Sequence, residues 1–80
     1  MSTVTTVHKE LDCRGLLCPM PIIRTSKALK EIEVGQILKV VATDAGFPAD
    51  IQAWAKQTGH RLLGVEQSDG EYVAYIERTK

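Results

Sequence analysis

The chain has no surplus of charge of either sign: ten Lys+Arg face ten Asp+Glu, and the formal net charge is zero at neutral pH. No overall positive field is available to hold a phosphate backbone or an anionic membrane, so direct nucleic-acid binding would need a local patch. Aromatic residues are few, with Phe47, Trp54, Tyr72 and Tyr75 standing singly, which removes a base-stacking platform. A small nucleic-acid-binding domain is therefore the weakest of the function classes. No stretch approaches the length of a membrane span, and Met1 to His8 is Ser/Thr-rich without the apolar run of a signal peptide. A cytoplasmic location with no membrane partner is expected. Internal repeats, low-complexity tracts and linkers are absent too. At 80 residues and 44% hydrophobic, about 35 apolar side chains serve one core. One domain over residues 1–80 is expected, with residues 1–4 disordered.

Cysteine is limited to Cys13 and Cys18. In a reducing compartment such a pair is chemical more often than structural, and a disulfide closing so short a loop would stabilise little. A zinc site would need His8, His60, Cys13 and Cys18 to converge at a spacing unlike that of zinc knuckles. The glycines stand alone, so no phosphate loop is formed, and no nucleophile elbow surrounds any serine. His60 follows Gly59 at a strand start, where a capping or solvent-facing role is the common one. No metal and no cofactor are expected.

What is present is a series of short periodic segments separated by Gly, Pro and Asp. Alternation of Val7, Lys9 and Leu11 with His8, Glu10 and Asp12 predicts a strand over 5–12. From Pro19 to about Glu33, Ile22, Thr25, Ala28, Leu29 and Ile32 fall on one side of a helix that Gly35 ends. Residues 36–43 are β-branched and apolar on both faces except at Lys39, as an interior strand requires. Phe47, Ile51, Trp54, Ala55 and Thr58 mark a second amphipathic helix, with Pro48 in its first turn and Gly59 beyond its end. Asp69-Gly70 joins a strand carrying Leu63 and Val65 to one spanning Tyr72 to Arg78 in a tight hairpin. The order β-α-β-α-β-β predicts an α+β two-layer sandwich, a four-stranded mixed sheet with two helices on one face, since right-handed crossovers place both helices together. The other face is a solvated or a partner surface, and Tyr72 or Tyr75 could belong to it.

The informative segment runs from Leu11 to Ile23, where Cys18 stands directly before Pro19, Met20 and Pro21. Prolines at the first and third helical positions cost little, because those N–H groups have no intrahelical acceptor, and Pro19 pushes Cys18 out of the α region. Cys18 is then expected to be the N-cap, with only the Met20 N–H left to bond its sulfur. The helix dipole would favour the thiolate and lower the thiol pKa from about 8.5, giving an accessible nucleophile. The alternative for Cys18 is a small buried hydrophobe. Cys13 at the strand end is either buried, a resolving thiol for an oxidised Cys18, or incidental. Beside Cys18, Met20, Ile23, Arg24 and Lys27, with Arg14 in the preceding loop, form either a docking surface for an acidic partner or an ordinary solvated face.

The Cys18-Pro-Met-Pro motif, the approach Leu11-Asp-Cys-Arg-Gly-Leu, and the later Asp44, Asp50-Ile-Gln-Ala-Trp54 and Gly59-His60 resemble the TusA/SirA family of sulfur carriers over residues 8–80. The resemblance implies that Cys18 takes sulfane sulfur as a persulfide from a cysteine desulfurase or a rhodanese. It further implies delivery to the cysteine of an acceptor such as a DsrE/TusD-like protein, in a sulfurtransferase reaction with no cofactor-dependent turnover. Family pathways include tRNA thiolation, molybdenum cofactor synthesis and sulfur oxidation. Met20 stands where members serving tRNA thiolation can carry an acidic residue, and Cys13 where others have a non-thiol residue. The competing class is a regulatory module in which a Cys13-Cys18 disulfide acts as a redox switch, which requires Cα atoms within about 7 Å.

Overall fold

The computed structural model describes residues 6–80, so the expectation for residues 1–4 and the predicted strand's first residue lie outside the described residues. The elements are β1 (Lys9–Cys13), α1 (Met20–Leu29), β2 (Ile37–Ala42), α2 (Phe47–Thr58), β3 (Arg61–Ser68) and β4 (Glu71–Glu77). The sheet order is β1-β2-β4-β3. β1 and β2 are parallel, with Cys13 opposite Ala42, while β4 pairs antiparallel with both β2 and β3. α1 packs on β1 and β2, α2 packs on β3 and β4, and the helices touch each other on the same face.

The periodicities place the core. Leu38, Val40 and Ala42 of β2 and Ala74 and Ile76 of β4 point at the helices and are buried. Ala28, Leu29 and Ile32 cover them from the first helical segment, and Phe47 and Ile51 from α2. Thr25 is the buried polar side chain of this layer, and its hydroxyl donates to the Pro21 carbonyl at 2.7 Å. Tyr72 packs against the core, whereas Tyr75 has the opposite parity on β4 and borders an open hollow on the far face of the sheet with Lys39 and Gly64.

Two boundaries differ from the sequence pattern for identifiable reasons. β1 starts at Lys9 because the His8 ring takes a ladder position: its Nδ1 accepts from the Ile37 N–H at 3.0 Å, while the His8 N–H donates to the Ile37 carbonyl at 2.9 Å. α1 ends at Leu29, yet Glu31 and Ile32 donate to the carbonyls three residues back, so a tighter turn still delivers Ile32 to the core. α2 has the boundaries its pattern implies, closing on Gly59 at φ 85°. The hairpin turn takes positive φ at both Asp69 (52°) and Gly70 (78°), matching the twist of the flanking strands.

Candidate functional site

β1 and β2 run in the same direction, so the segments that follow them emerge side by side at one rim of the sheet. The first begins with Asp12 and Arg14 on either side of the buried Cys13. Asp12 accepts from the Arg14 backbone N–H and side-chain Nε at 3.0 Å each and from its second guanidinium nitrogen at 3.1 Å. These bonds hold the Asp12 carboxyl at a pKa of about 2. Arg14 also reaches Glu71 at 3.5 Å. The Gly15 N–H, in a loop where the chain adopts φ 79°, donates to Thr43 Oγ1 at 2.9 Å and ties this segment to the end of β2.

Cys18 follows, exposed to solvent and one residue further from the helix than the sequence predicts. The N-cap is Pro19, Met20 is the first helical residue and Pro21 the second. The Cys18–Pro19 peptide is cis. No side chain caps the helix, because the Met20 N–H is already used by the Leu17 carbonyl at 2.9 Å, and the first helical ladder bond runs from Ile23 to Pro19 at 3.1 Å. The expected sulfur cap is therefore absent.

The expected lowering of the thiol pKa is corrected as well. The carboxylate of Asp50, in the first turn of α2, is the largest influence on the Cys18 thiol. Asp50, then desolvation, then the negative charge of Asp44, push the thiol up from its ordinary value. Dipole effects fade within the first turn of a helix, and Cys18 lies outside the N-cap of α1, while carboxylates from the neighbouring crossover act on its thiol. Asp44 accepts from the Gly46 N–H at 3.2 Å. A Cβ placed on Gly46 would lie 3.2 Å from Asp44 Oδ2 and 3.7 Å from Asp50 Oδ2, so both carboxylates lean over the bare glycine.

Of the remaining site residues, Met20, Ile23, Arg24 and Lys27 come together along a groove of about 460 Å³ between α1 and β1, closed on the strand side by Glu10 and Leu11. Met20 and Ile23 are 40% and 52% exposed, and Leu17, immediately before Cys18, is 70% exposed. Arg14 does not line the groove and is engaged by Asp12 and Glu71 instead. Cys13 is fully buried in the core, and that burial, partly countered by the charge of Arg24, pushes its thiol up. Both cysteines are free thiols. His8 and His60 each accept a backbone N–H, from Ile37 and Thr79, and His60 stacks on Trp54 at 5.6 Å. Among the described residues no three His, Cys, Asp or Glu side chains are placed to hold a metal ion. The exposed Leu17 beside Cys18 and the influence of Asp44 and Asp50 on its thiol are features that local sequence rules miss. The pairing of the parallel strands is the signal that could have found the carboxylates, since it puts the chain after β2 beside the chain after β1.

Fold and site together define a small α+β domain that presents one exposed cysteine on a proline-bounded turn at the carboxyl rim of two parallel strands. The family model for sulfurtransferase TusA matches residues 9–78, and the chain belongs to that family. It is 42% identical over 71 residues to the sulfur carrier protein TusA of Allochromatium vinosum, covering 89% of this chain and 93% of that one. A relative in Aquifex aeolicus, provisionally named a sulfur carrier protein, is 50% identical over 70 residues, covering 88% of this chain. The chain spans only 36% of the length of that relative and of another in Bacillus subtilis. The crystal structure of a SirA-like protein from Desulfitobacterium hafniense superposes with a TM-score of 0.77 at 27% identity, over 90% of this chain and 99% of that one.

Proposed function

We propose that this chain is a sulfur carrier that accepts sulfane sulfur as a persulfide on Cys18 and passes it to a cysteine of an acceptor protein. The observation that carries the reading is the exposed, uncapped Cys18 on the turn into α1, in a chain of the TusA family. Persulfide transfer is thiol exchange: the Cys18 sulfur bonds to the outer sulfur of a donor persulfide and the donor leaves as its thiol. An acceptor thiolate then attacks the outer sulfur, and Cys18 leaves. One sulfur moves, no external oxidant or reductant is consumed, and the sulfur must be reachable by proteins in both directions. A single sulfur atom offers nothing to recognise, so specificity rests on protein contacts. The apolar Met20 and Ile23 flanked by Arg24 and Lys27 suit an acidic partner surface. A cysteine desulfurase or a rhodanese fits as donor and a DsrE/TusD-like thiol protein as acceptor, acting in the cytoplasm.

Intact mass after incubation with a cysteine desulfurase and cysteine, or with a rhodanese and thiosulfate, tests this. Wild type and Cys13→Ser are expected to gain one sulfur, ~32 Da, and Cys18→Ser none. A gain that survives in Cys18→Ser, or no gain in wild type, overturns the proposal.

A further inference from the structure

β1 is an outer strand, with β2 on one side only. The register says which backbone groups this leaves over. The Arg78 N–H donates to the Gln36 carbonyl at 3.0 Å, so Gln36, Leu38, Val40 and Ala42 face β4, while Ile37, bonded to His8, faces β1 together with Lys39 and Val41. Lys9 lies opposite Leu38 and Leu11 opposite Val40, so these two residues fit between the inward groups of β2. The N–H and C=O of Glu10 and Asp12 therefore point away from the sheet, and they have no backbone partner among the described residues. The opposite edge is different, because β3 carries an irregularity between Leu62 and Gly64 of the kind that ends pairing, whereas the register of β1 is unbroken.

Beside this free edge runs the groove of about 460 Å³. The Lys9–Glu31 ion pair at 3.1 Å closes the end away from Cys18, and Met20 stands at the other end. Glu10 has the side-chain parity of the far face and also borders the hollow there. Among the described residues the ion pairs are Lys9–Glu31, Asp12–Arg14, Glu71–Arg14 and Glu77–Arg61, so Arg24 and Lys27 face the groove with no carboxylate of their own.

We propose that the groove and the free edge of β1 together receive an extended acidic segment of the partner protein, which pairs with β1 as a fifth strand and carries the reacting cysteine at its end beside Cys18. The proposal rests on the persulfide-carrier reading and names the structural form of the docking partner. Five residues of such a strand span about 16 Å, the length of β1, and lead to the rim where the Cys18 turn begins. The edge supplies main-chain hydrogen bonds, Met20 and Ile23 supply apolar contact, and Arg24 and Lys27 select acidic side chains. A second copy of this chain is the poorer occupant, since pairing β1 with β1 brings two Arg24/Lys27 strips together. In the delivery step the segment's thiolate attacks the outer sulfur of the Cys18 persulfide. The new S–S bond forms as the bond to the Cys18 sulfur breaks, and Cys18 leaves as a thiolate that takes up the proton given by the incoming thiol.

The probe is a peptide of alternating Val and Glu with one terminal Cys, about ten residues long. Comparison peptides carry Lys in place of Glu, or N-methyl groups on one or the other alternate set of residues. Residue-level amide exchange of the full chain is expected to slow at least fivefold at Glu10 and Asp12 when the Glu peptide binds, with the β3 amides unchanged. Affinity is expected to fall at least fivefold for the Lys peptide, for Arg24→Glu/Lys27→Glu, and for one N-methylated set but not the other. Only a strand paired along one edge distinguishes the two sets. With Cys18 loaded, the bound peptide is expected to gain ~32 Da. No binding at about 1 mM, equal affinity for both N-methylated sets, or no protection at Glu10 and Asp12 overturns the proposal. Protection that appears without peptide and rises with protein concentration assigns the edge to a second copy and overturns it too. Binding requires no sulfur, so a chain that binds the peptide but takes no sulfur defeats the carrier reading alone, and one that carries sulfur without binding defeats this proposal alone.

Discussion

Asp12 and Arg14 show how a surface pair can be strongly organised and still contribute little to stability. Their side chains remain 62% and 54% exposed, so solvent screens most of the attraction. The pair leaves a signature in pH all the same. The folded-state pKa of Asp12, about 2, lies below the ordinary 3.8, so its contribution is complete above pH 4 and is lost as the pH falls through 2. Denaturant midpoints measured across that interval are expected to fall slightly less steeply for Asp12→Asn than for wild type. At neutral pH the same substitution leaves the sheet intact, because Asp12 points to solvent while its neighbour Cys13 fills the core. The two cysteines thus divide cleanly: Cys13 is packing, and Cys18 is the sulfur that a partner can touch.

At the scale of elements, α2 is the main anchor of the second layer. Phe47 and Ile51 are buried on the sheet within its first two turns. Phe47→Ala removes a fully buried ring and is expected to cost about 3–5 kcal/mol in equilibrium unfolding. This helix was legible in the sequence from end to end, because its apolar spacing, its Pro48 and its terminal Gly59 all point to the same boundaries. The entrance to α1 was not. Pro19 and Pro21 each satisfy the rule for a first turn, and a residue before proline should avoid helical angles, so local rules leave the start ambiguous by one residue. The turn bond from Met20 to Leu17 decides it, putting Met20 inside the helix and Cys18 outside. Asp50 lies 32 positions from Cys18, so no local rule links the two, and the parallel pairing of β1 with β2 is what brings their segments to one rim.

For the molecule as a whole, positive and negative charges balance, so their placement matters more than their sum. The groove of α1 carries Arg24 and Lys27 beside exposed Met20 and Ile23, in a chain whose net charge is zero, so partner steering depends on local arrangement. The double substitution Arg24→Glu/Lys27→Glu is expected to slow sulfur loading roughly tenfold at low salt and to flatten its salt dependence, with no change in the thermal midpoint beyond a degree or two. Unchanged loading would assign that face to solvent. Trp54 and His60, by contrast, stack on each other at the far end of α2 and serve the fold.

The register of the sheet also decides how the domain can be tethered. Lys9 lies opposite Leu38, and Ile37 opposite Glu77, so the first residue of β1 and the last of β4 share one rim, while Cys13, Ala42 and Tyr72 share the other. The chain enters and leaves the sheet at the rim opposite Cys18. Additional chain joined at either end would therefore meet the domain at the rim opposite Cys18 and leave the exposed cysteine uncovered.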